Sequence, residues 1–227
     1  ATTEPAGDHR ALHPAGDVFH ADDMTIAPAE TSPSRPPAPR ATIAEWLAIP
    51  EERRAELIDG RIVYQGMPGP VHGRVQGNVF SALGPRFDRR RGGDDRPGGW
   101  WLSLEVDMEV GGIGCRPDVV GWRRERVARL PQPDARGVVV EVPDWICEVL
   151  SASTASVDTG KKREAYHRAG VAHYWLADPE RRSITVLRSV AEGYVILGVH
   201  HAGERMRAEP FEAVEVALDE VFADDAE

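Results

Sequence analysis

The polar and apolar positions of this chain change period several times along its length. Leu102, Leu104, Val106, Met108 and Val110 alternate with Ser103, Glu105, Asp107 and Glu109. That period of two predicts a strand over 102–110 with one wet face. Gly111-Gly112 turns it toward residues 115–122, whose Val119-Val120 centre reads as buried. Later apolar runs predict strands at 144–150, 172–177, 183–189 and 193–199. Helical spacing appears in two places. Val71, Val75, Val79, Phe80 and Leu83 predict an amphipathic helix over 71–83, and a second helix is expected at about 157–169, closed by Gly170 just past its end. Upstream, Thr42 and Glu45 have capping-box spacing for a short helix. Residues 51–60 read as another helical stretch ending at a glycine, followed by a strand at 61–64. Antiparallel strands followed by a strand–helix–strand crossover predict an α/β fold, a mixed central sheet flanked by helices on both faces.

Composition divides the chain further. Residues 1–40 carry seven prolines and almost no periodic apolar positions, so they read as a flexible arm. The formal net charge is −10, yet residues 41–203 hold 22 basic and 22 acidic side chains. The excess acidity sits in the arm, with 3 basic and 6 acidic residues, and in an acidic C-terminal segment at 204–227, with 2 and 9. The domain is therefore expected at 41–203. Arginines cluster at 86–96 and at 123–129, where they either meet phosphates or form a solvated face. No apolar run is long enough to span a bilayer, and the N-terminus lacks the pattern of a secretory signal, so a cytoplasmic location is expected. Cys115 and Cys147 read as small, reduced, buried residues.

Only two of the 27 basic residues are lysines, the adjacent Lys161 and Lys162. Lysine is a compact point charge that approaches a single oxygen or water without the planar fork of arginine. Two acids stand in strand-like runs nearby: Asp118 opens Asp-Val-Val-Gly121, and Glu148 sits late in Trp145-Ile-Cys-Glu-Val-Leu150. Two carboxylates about 4 Å apart repel by roughly 4 kcal/mol at an effective dielectric near 20, so such a pair calls for a cation. Carboxylates, a divalent cation and a lysine that orients or deprotonates water are the parts of a phosphodiesterase. Against this stands a structural role, in which each acid pairs with an arginine such as Arg116 or caps a strand. Asp158, Lys162 and Tyr166 recur every four residues and share one helix face, with Lys161 about 100° away.

These residues fall in a wider pattern: Glu56-Leu-Ile-Asp-Gly60, His72, Pro117-Asp118, Glu148-Val-Leu-Ser-Ala-Ser-Thr154, Asp158-x-x-x-Lys162-x-x-x-Tyr166, and Gly170-Val171-x-x-Tyr174-Trp175-x-x-Asp178-Pro179. Over about residues 41–200 this resembles the Uma-two family of bacterial restriction endonucleases. The resemblance implies a restriction-endonuclease-like PD-(D/E)XK core and a metal-dependent DNA endonuclease using Mg²⁺ or Mn²⁺. It implies Asp118 and Glu148 as metal ligands, Lys162 as the lysine displaced from the strand, where Leu150 stands, and Glu56 as the acid of the first helix. His72, Asp158 and Tyr166 are the supporting residues. The partner implied is nucleic acid, DNA ahead of RNA; a homodimer is expected because cutting two strands takes two sites, and no membrane partner is expected from the lack of a long apolar run. A catalytically idle binding protein on the same fold is the alternative. Because the arm contributes no apolar face, deleting residues 1–40 is expected to leave the thermal midpoint within about two degrees, measured by differential scanning calorimetry.

Overall fold

The computed structural model describes residues 40–90, 97–152 and 155–223; all of the predicted arm except Arg40 lies outside them. Helix α1 (Ile43–Leu47) begins at the capping box, where the Glu45 N–H donates to Thr42 Oγ1 and the Thr42 N–H donates to Glu45 Oε2.

Residues 51–60 are not the helix their composition suggests. A 3₁₀ turn at Glu51–Arg53 leads into strand β1 (Ala55–Ile58), which folds back onto β2 (Arg61–Tyr64). Asp59 and Gly60 between them both have positive φ, 51° and 72°. This is the backbone of a two-residue hairpin turn, for which Asp-Gly is a favoured pair. Glu56 therefore stands on a strand, not on a helix. The expected strand at 102–110 is likewise divided, into β3 (Trp100–Leu104) and β4 (Met108–Val110), which belong to different sheets. The break falls at Glu105, whose φ is 47°. The alternation holds within each half but does not say which sheet each half joins.

Beyond β4 come β5 (Ile113–Cys115), β6 (Val119–Arg123), β7 (Trp145–Val149), β8 (His173–Asp178), β9 (Ser183–Val190) and β10 (Gly193–His201). The central sheet has the order β10-β9-β8-β7-β6-β3, and only β7 and β8 in it are parallel. Their crossover is the predicted helix: α3 (Ala155–Val157), a π turn (Asp158–Lys162) and α4 (Arg163–Ala169), ended by Gly170 at φ 87°. A second sheet has the order β2-β1-β5-β4.

One face of the central sheet is covered by α2 (Pro70–Phe87), which presents Val75, Val79, Leu83 and Phe87 to Trp145 and Trp175. Residues 204–223, set apart in the sequence by their acidity, share this core. There β11 (Arg205–Met206), the loop that follows it, β12 (Val216–Ala217) and α5 (Leu218–Val221) bring in Met206, Phe211, Leu218 and Val221. The other face packs against the small sheet and α4 through Met108, Ile113, Ile146, Ala165 and Tyr166. Cys115 and Cys147 are buried free thiols. Among the described residues no helix is long and apolar enough to cross a membrane.

Close approach of the small sheet to its neighbours depends on two glycines. At Gly111, with φ 59°, an added Cβ would lie 2.2 Å from the Ala165 carbonyl oxygen of α4. At Gly114 it would lie 2.4 Å from the Trp46 ring. The Trp46 indole N–H also donates to the Ala55 carbonyl at 2.6 Å, tying α1 to the strand that carries Glu56. Gly114→Ala is expected to lower stability by about 1–3 kcal/mol through this overlap, measured by urea unfolding.

Candidate active site

The site begins with strand register. β6 and β7 pair Val119 with Cys147 and Val120 with Ile146, and the same register continued sets Asp118 opposite Glu148. Val119 and Cys147 point toward α2, while Val120 and Ile146 point toward α4. Alternation then places both acids on the α4 face, on opposed positions whose Cβ atoms are typically about 4.5–5.5 Å apart. Each acid also holds the other's backbone. Asp118 Oδ2 accepts from the Val149 N–H at 2.7 Å, and Glu148 Oε2 accepts from the Asp118 N–H at 3.4 Å.

Lys162 meets them from the helix, 1% exposed. Its Nζ lies 2.8 Å from Glu56 Oε1, 3.1 Å from Glu148 Oε1, to which it donates, and 3.1 Å from Asp158 Oδ1, an oxygen buried without a hydrogen-bond partner. Tyr166, one turn on, donates its hydroxyl to Glu148 Oε1 at 2.8 Å. Tyr174 donates to the Asp158 carbonyl at 3.1 Å and pins the start of the π turn. Lys161 faces away, its side chain 54% exposed and 2.8 Å from Asp59. The structure thus brings together Glu56, Asp118, Glu148, Asp158, Lys162 and Tyr166, contributed by four segments of chain. His72, in the first turn of α2, completes the group with Nε2 3.4 Å from Asp118 Oδ2. Burial alone would lower the His72 pKa, but the hydrogen bond and charge of Asp118 raise it above its ordinary value. Arg116 does not pair with Asp118. Its guanidinium takes Asp107 at 2.8 and 2.9 Å and lies 3.3 Å from Glu51, and its backbone N–H donates to Glu56 Oε1.

Three buried carboxylates surround one buried ammonium, and Asp118 adds a fourth buried acid beside Glu148. Burial pushes the Glu148 carboxyl well above the usual carboxylate range; Asp158, Asp118 and Glu56 push it the same way, and Lys162 opposes them. Burial would lower the Lys162 pKa, but Glu148, Glu56 and Asp158 outweigh it and hold the pKa well above its ordinary value. The carboxylates around Lys162 thus favour its charged form, which suits it to orienting groups and stabilising negative charge.

A divalent cation fits this surplus of anionic oxygen. Asp118 and Glu148 line a cavity of about 270 Å³ together with Asp158, Lys162 and His72, and Glu56 Oε2 is buried without a hydrogen-bond partner. Among the described residues no set of three or more His, Cys, Asp or Glu side chains is arranged to hold a metal. Two carboxylates are nevertheless enough for Mg²⁺ when waters and phosphate complete its shell. The sequence reading missed two residues here. Gln76, buried on the otherwise apolar face of α2, donates to the Asp118 carbonyl at 3.0 Å, and Arg54 lines the cavity. A glutamine beside Val75 and Val79 on a core-facing stripe was the available signal for the first.

Lys162→Met removes the counter-charge of three buried carboxylates and is expected to cost about 3–5 kcal/mol at neutral pH, less as the medium is acidified. In the unaltered protein the raised Glu148 pKa gives stability that is fully present below the unfolded value and is lost as pH rises through the folded value. Glu148→Gln is expected to remove that slope, as read from urea midpoints between acidic and neutral pH.

No curated protein matches the chain. Among solved structures it is similar to a protein from Anabaena variabilis ATCC 29413 described as a putative nuclease belonging to DUF820. The two are 21% identical, with a TM-score of 0.60 over 78% of this chain and 95% of that one. At that identity the likeness establishes the fold, a mixed α/β core of the restriction-endonuclease type. The Uma2 family model, described as "Putative restriction endonuclease", matches residues 42–219, from the cap of α1 into α5 and across every residue of the cluster. The chain belongs to the Uma2 family.

Proposed function

We propose that this protein is a divalent-cation-dependent nuclease that hydrolyses phosphodiester bonds in DNA. The observation that carries the reading is the opposed pair Asp118 and Glu148 at a cavity where buried carboxylates outnumber the one buried ammonium. Asp118 and Glu148 would hold the cation. When bound, it supplies Lewis-acid polarisation of the scissile phosphate and offsets the charge that develops there.

The chain's own residues do the rest. Lys162, fixed by three carboxylates, keeps its proton and presents a positive charge to the reacting phosphate. Tyr166 and Asp158 hold Glu148 and Lys162 in place, and Gln76 fixes the backbone at Asp118. Glu56 sets the depth of the ammonium from the side of β1. Hydrolysis of both strands of a duplex takes two such sites, so a homodimer is part of the proposal.

The purified protein with Mg²⁺ or Mn²⁺ is expected to nick plasmid DNA faster than RNA of similar length, and EDTA is expected to stop it. Asp118→Asn can still accept from the Val149 N–H but loses a charged ligand, so cation binding by calorimetry and cleavage should disappear together. Lys162→Arg keeps the charge without the compact ammonium and should lower turnover about 10²-fold with cation binding retained. Lys161→Ala, on the exposed side of the helix, should cleave normally. A protein that binds no divalent cation at millimolar concentration would overturn the proposal.

A further inference from the structure

Besides Lys162, the cavity at Asp118 and Glu148 is lined by two guanidinium groups, those of Arg54 and Arg116. Their circumstances differ. Arg116 directs Nε and Nη2 at Asp107, at 2.8 and 2.9 Å, and Nη1 lies 3.3 Å from Glu51. Arg54 has a looser ion pair, Nη1 to Glu105 Oε2 at 3.6 Å, and its Nε is buried without a hydrogen-bond partner. A buried donor left unpaired costs on the order of 1–3 kcal/mol, and its position in a native fold calls for an explanation.

The backbone singles out the same two residues. Four non-glycine residues among those described have positive φ, and two of them are Arg54 at 42° and Glu105 at 47°. Such conformations persist where the surrounding structure over-determines them, and they gather at functional sites. Here the restraints are visible. The Arg54 N–H donates to the Glu51 carbonyl at 3.0 Å, and the Arg54 carbonyl accepts from the Gln65 N–H at 2.9 Å. The Glu105 N–H donates to the Asp118 carbonyl at 3.3 Å, and Glu105 Oε1 accepts from Gln76 Nε2 at 3.3 Å. Arg54 is thus clamped at the entrance of the strand that carries Glu56, and Glu105 is clamped to the backbone of Asp118.

We propose that Arg54 and Glu105 form a phosphate-receiving latch. Arg54 is the substrate-contacting group that takes the non-bridging oxygens of a phosphodiester, and Glu105 holds it in the cavity until the phosphate arrives. The proposal rests on the nuclease reading of the same site. A phosphate offers two oxygens to the planar fork at hydrogen-bond distance, a better partner than a carboxylate at 3.6 Å. The need is electrostatic. A cleft with surplus carboxylates repels an incoming phosphate, and Lys162 Nζ already lies within 3.1 Å of three carboxylates. The Arg54 guanidinium, with one donor unpaired, offers positive charge where the anion enters.

The probe is inorganic phosphate, titrated into the full chain in millimolar Mg²⁺ and followed by calorimetry and by the Arg54 Nε–H resonance. Arg54→Gly removes the fork and suits a positive φ, so its thermal midpoint should equal or exceed that of the unaltered protein. Phosphate should shift the Nε–H resonance of the unaltered protein. Arg54→Gly should weaken phosphate binding about 10-fold or more, with Arg54→Lys in between. Glu105→Gln releases the latch and should tighten phosphate binding. Equal phosphate affinity with and without the Arg54 side chain, or no phosphate binding by the unaltered protein, overturns the latch. DNA cleavage is assayed separately: its absence would remove the nuclease reading whatever the phosphate titration shows.

Discussion

The arrangement of this protein turns on one buried ammonium. Lys162 is 1% exposed and directs Nζ at carboxylates from β1, β7 and its own helix. An isolated charge at that depth would be several kcal/mol unfavourable, and an isolated carboxylate equally so. Each makes the other tolerable, but only if the small sheet, the central sheet and the crossover helix meet within hydrogen-bond distance. That requirement gives purpose to packing details remote from any chemistry. Gly111 lets the β4–β5 turn close on the backbone of α4, and Gly114 admits the Trp46 ring that ties α1 to β1. The π turn lets Asp158, Lys162 and Tyr166 converge on one strand end.

The cluster is deliberately unbalanced. Three carboxylates around one ammonium would already leave negative charge, and Asp118 adds a fourth acid on the neighbouring strand. The raised pKa of Glu148 records that imbalance, since burial and three neighbouring acids favour its protonated form despite Lys162. A fold selected for stability alone would place apolar side chains here, because well-packed hydrophobic residues often replace buried ions without loss. Retaining the charges makes sense if a cation and a phosphate complete the site. The raised pKa of Lys162 has the same origin, since three carboxylates favour its charged form over the cost of burial.

Much of the fold was legible along the chain. The apolar stripe of α2, the strands β7 to β10, the capping box of α1 and the Gly170 stop all follow from local spacing. So does the division of labour between the lysines, because residues four apart share a helix face whatever surrounds them. Other features were misread for identifiable reasons. The helix-forming residues of 51–58 gave way to the Asp59-Gly60 hairpin turn, which converts Glu56 from a helix residue into a strand residue. The alternation at 102–110 crossed a sheet boundary at Glu105 unseen. The acidity of 204–223 concealed Met206, Phe211 and Leu218, which complete the main core.

Sequence alone determined the elements whose cause is local: periodicity, caps, the turn-forming glycines, and the residue types able to hold a cation and a lysine on one face. Tertiary structure decided which of them meet. Gln76 reaches the Asp118 carbonyl from 42 positions away, and Arg116 turns to Asp107 instead of Asp118. Arg54 pairs with Glu105, two residues of positive φ at the ends of separate strands. Such pairings depend on sheet order and on how closely layers pack. Periodicity is a property of neighbouring residues and carries no information about strand order, so those partners became readable only once the chain had folded.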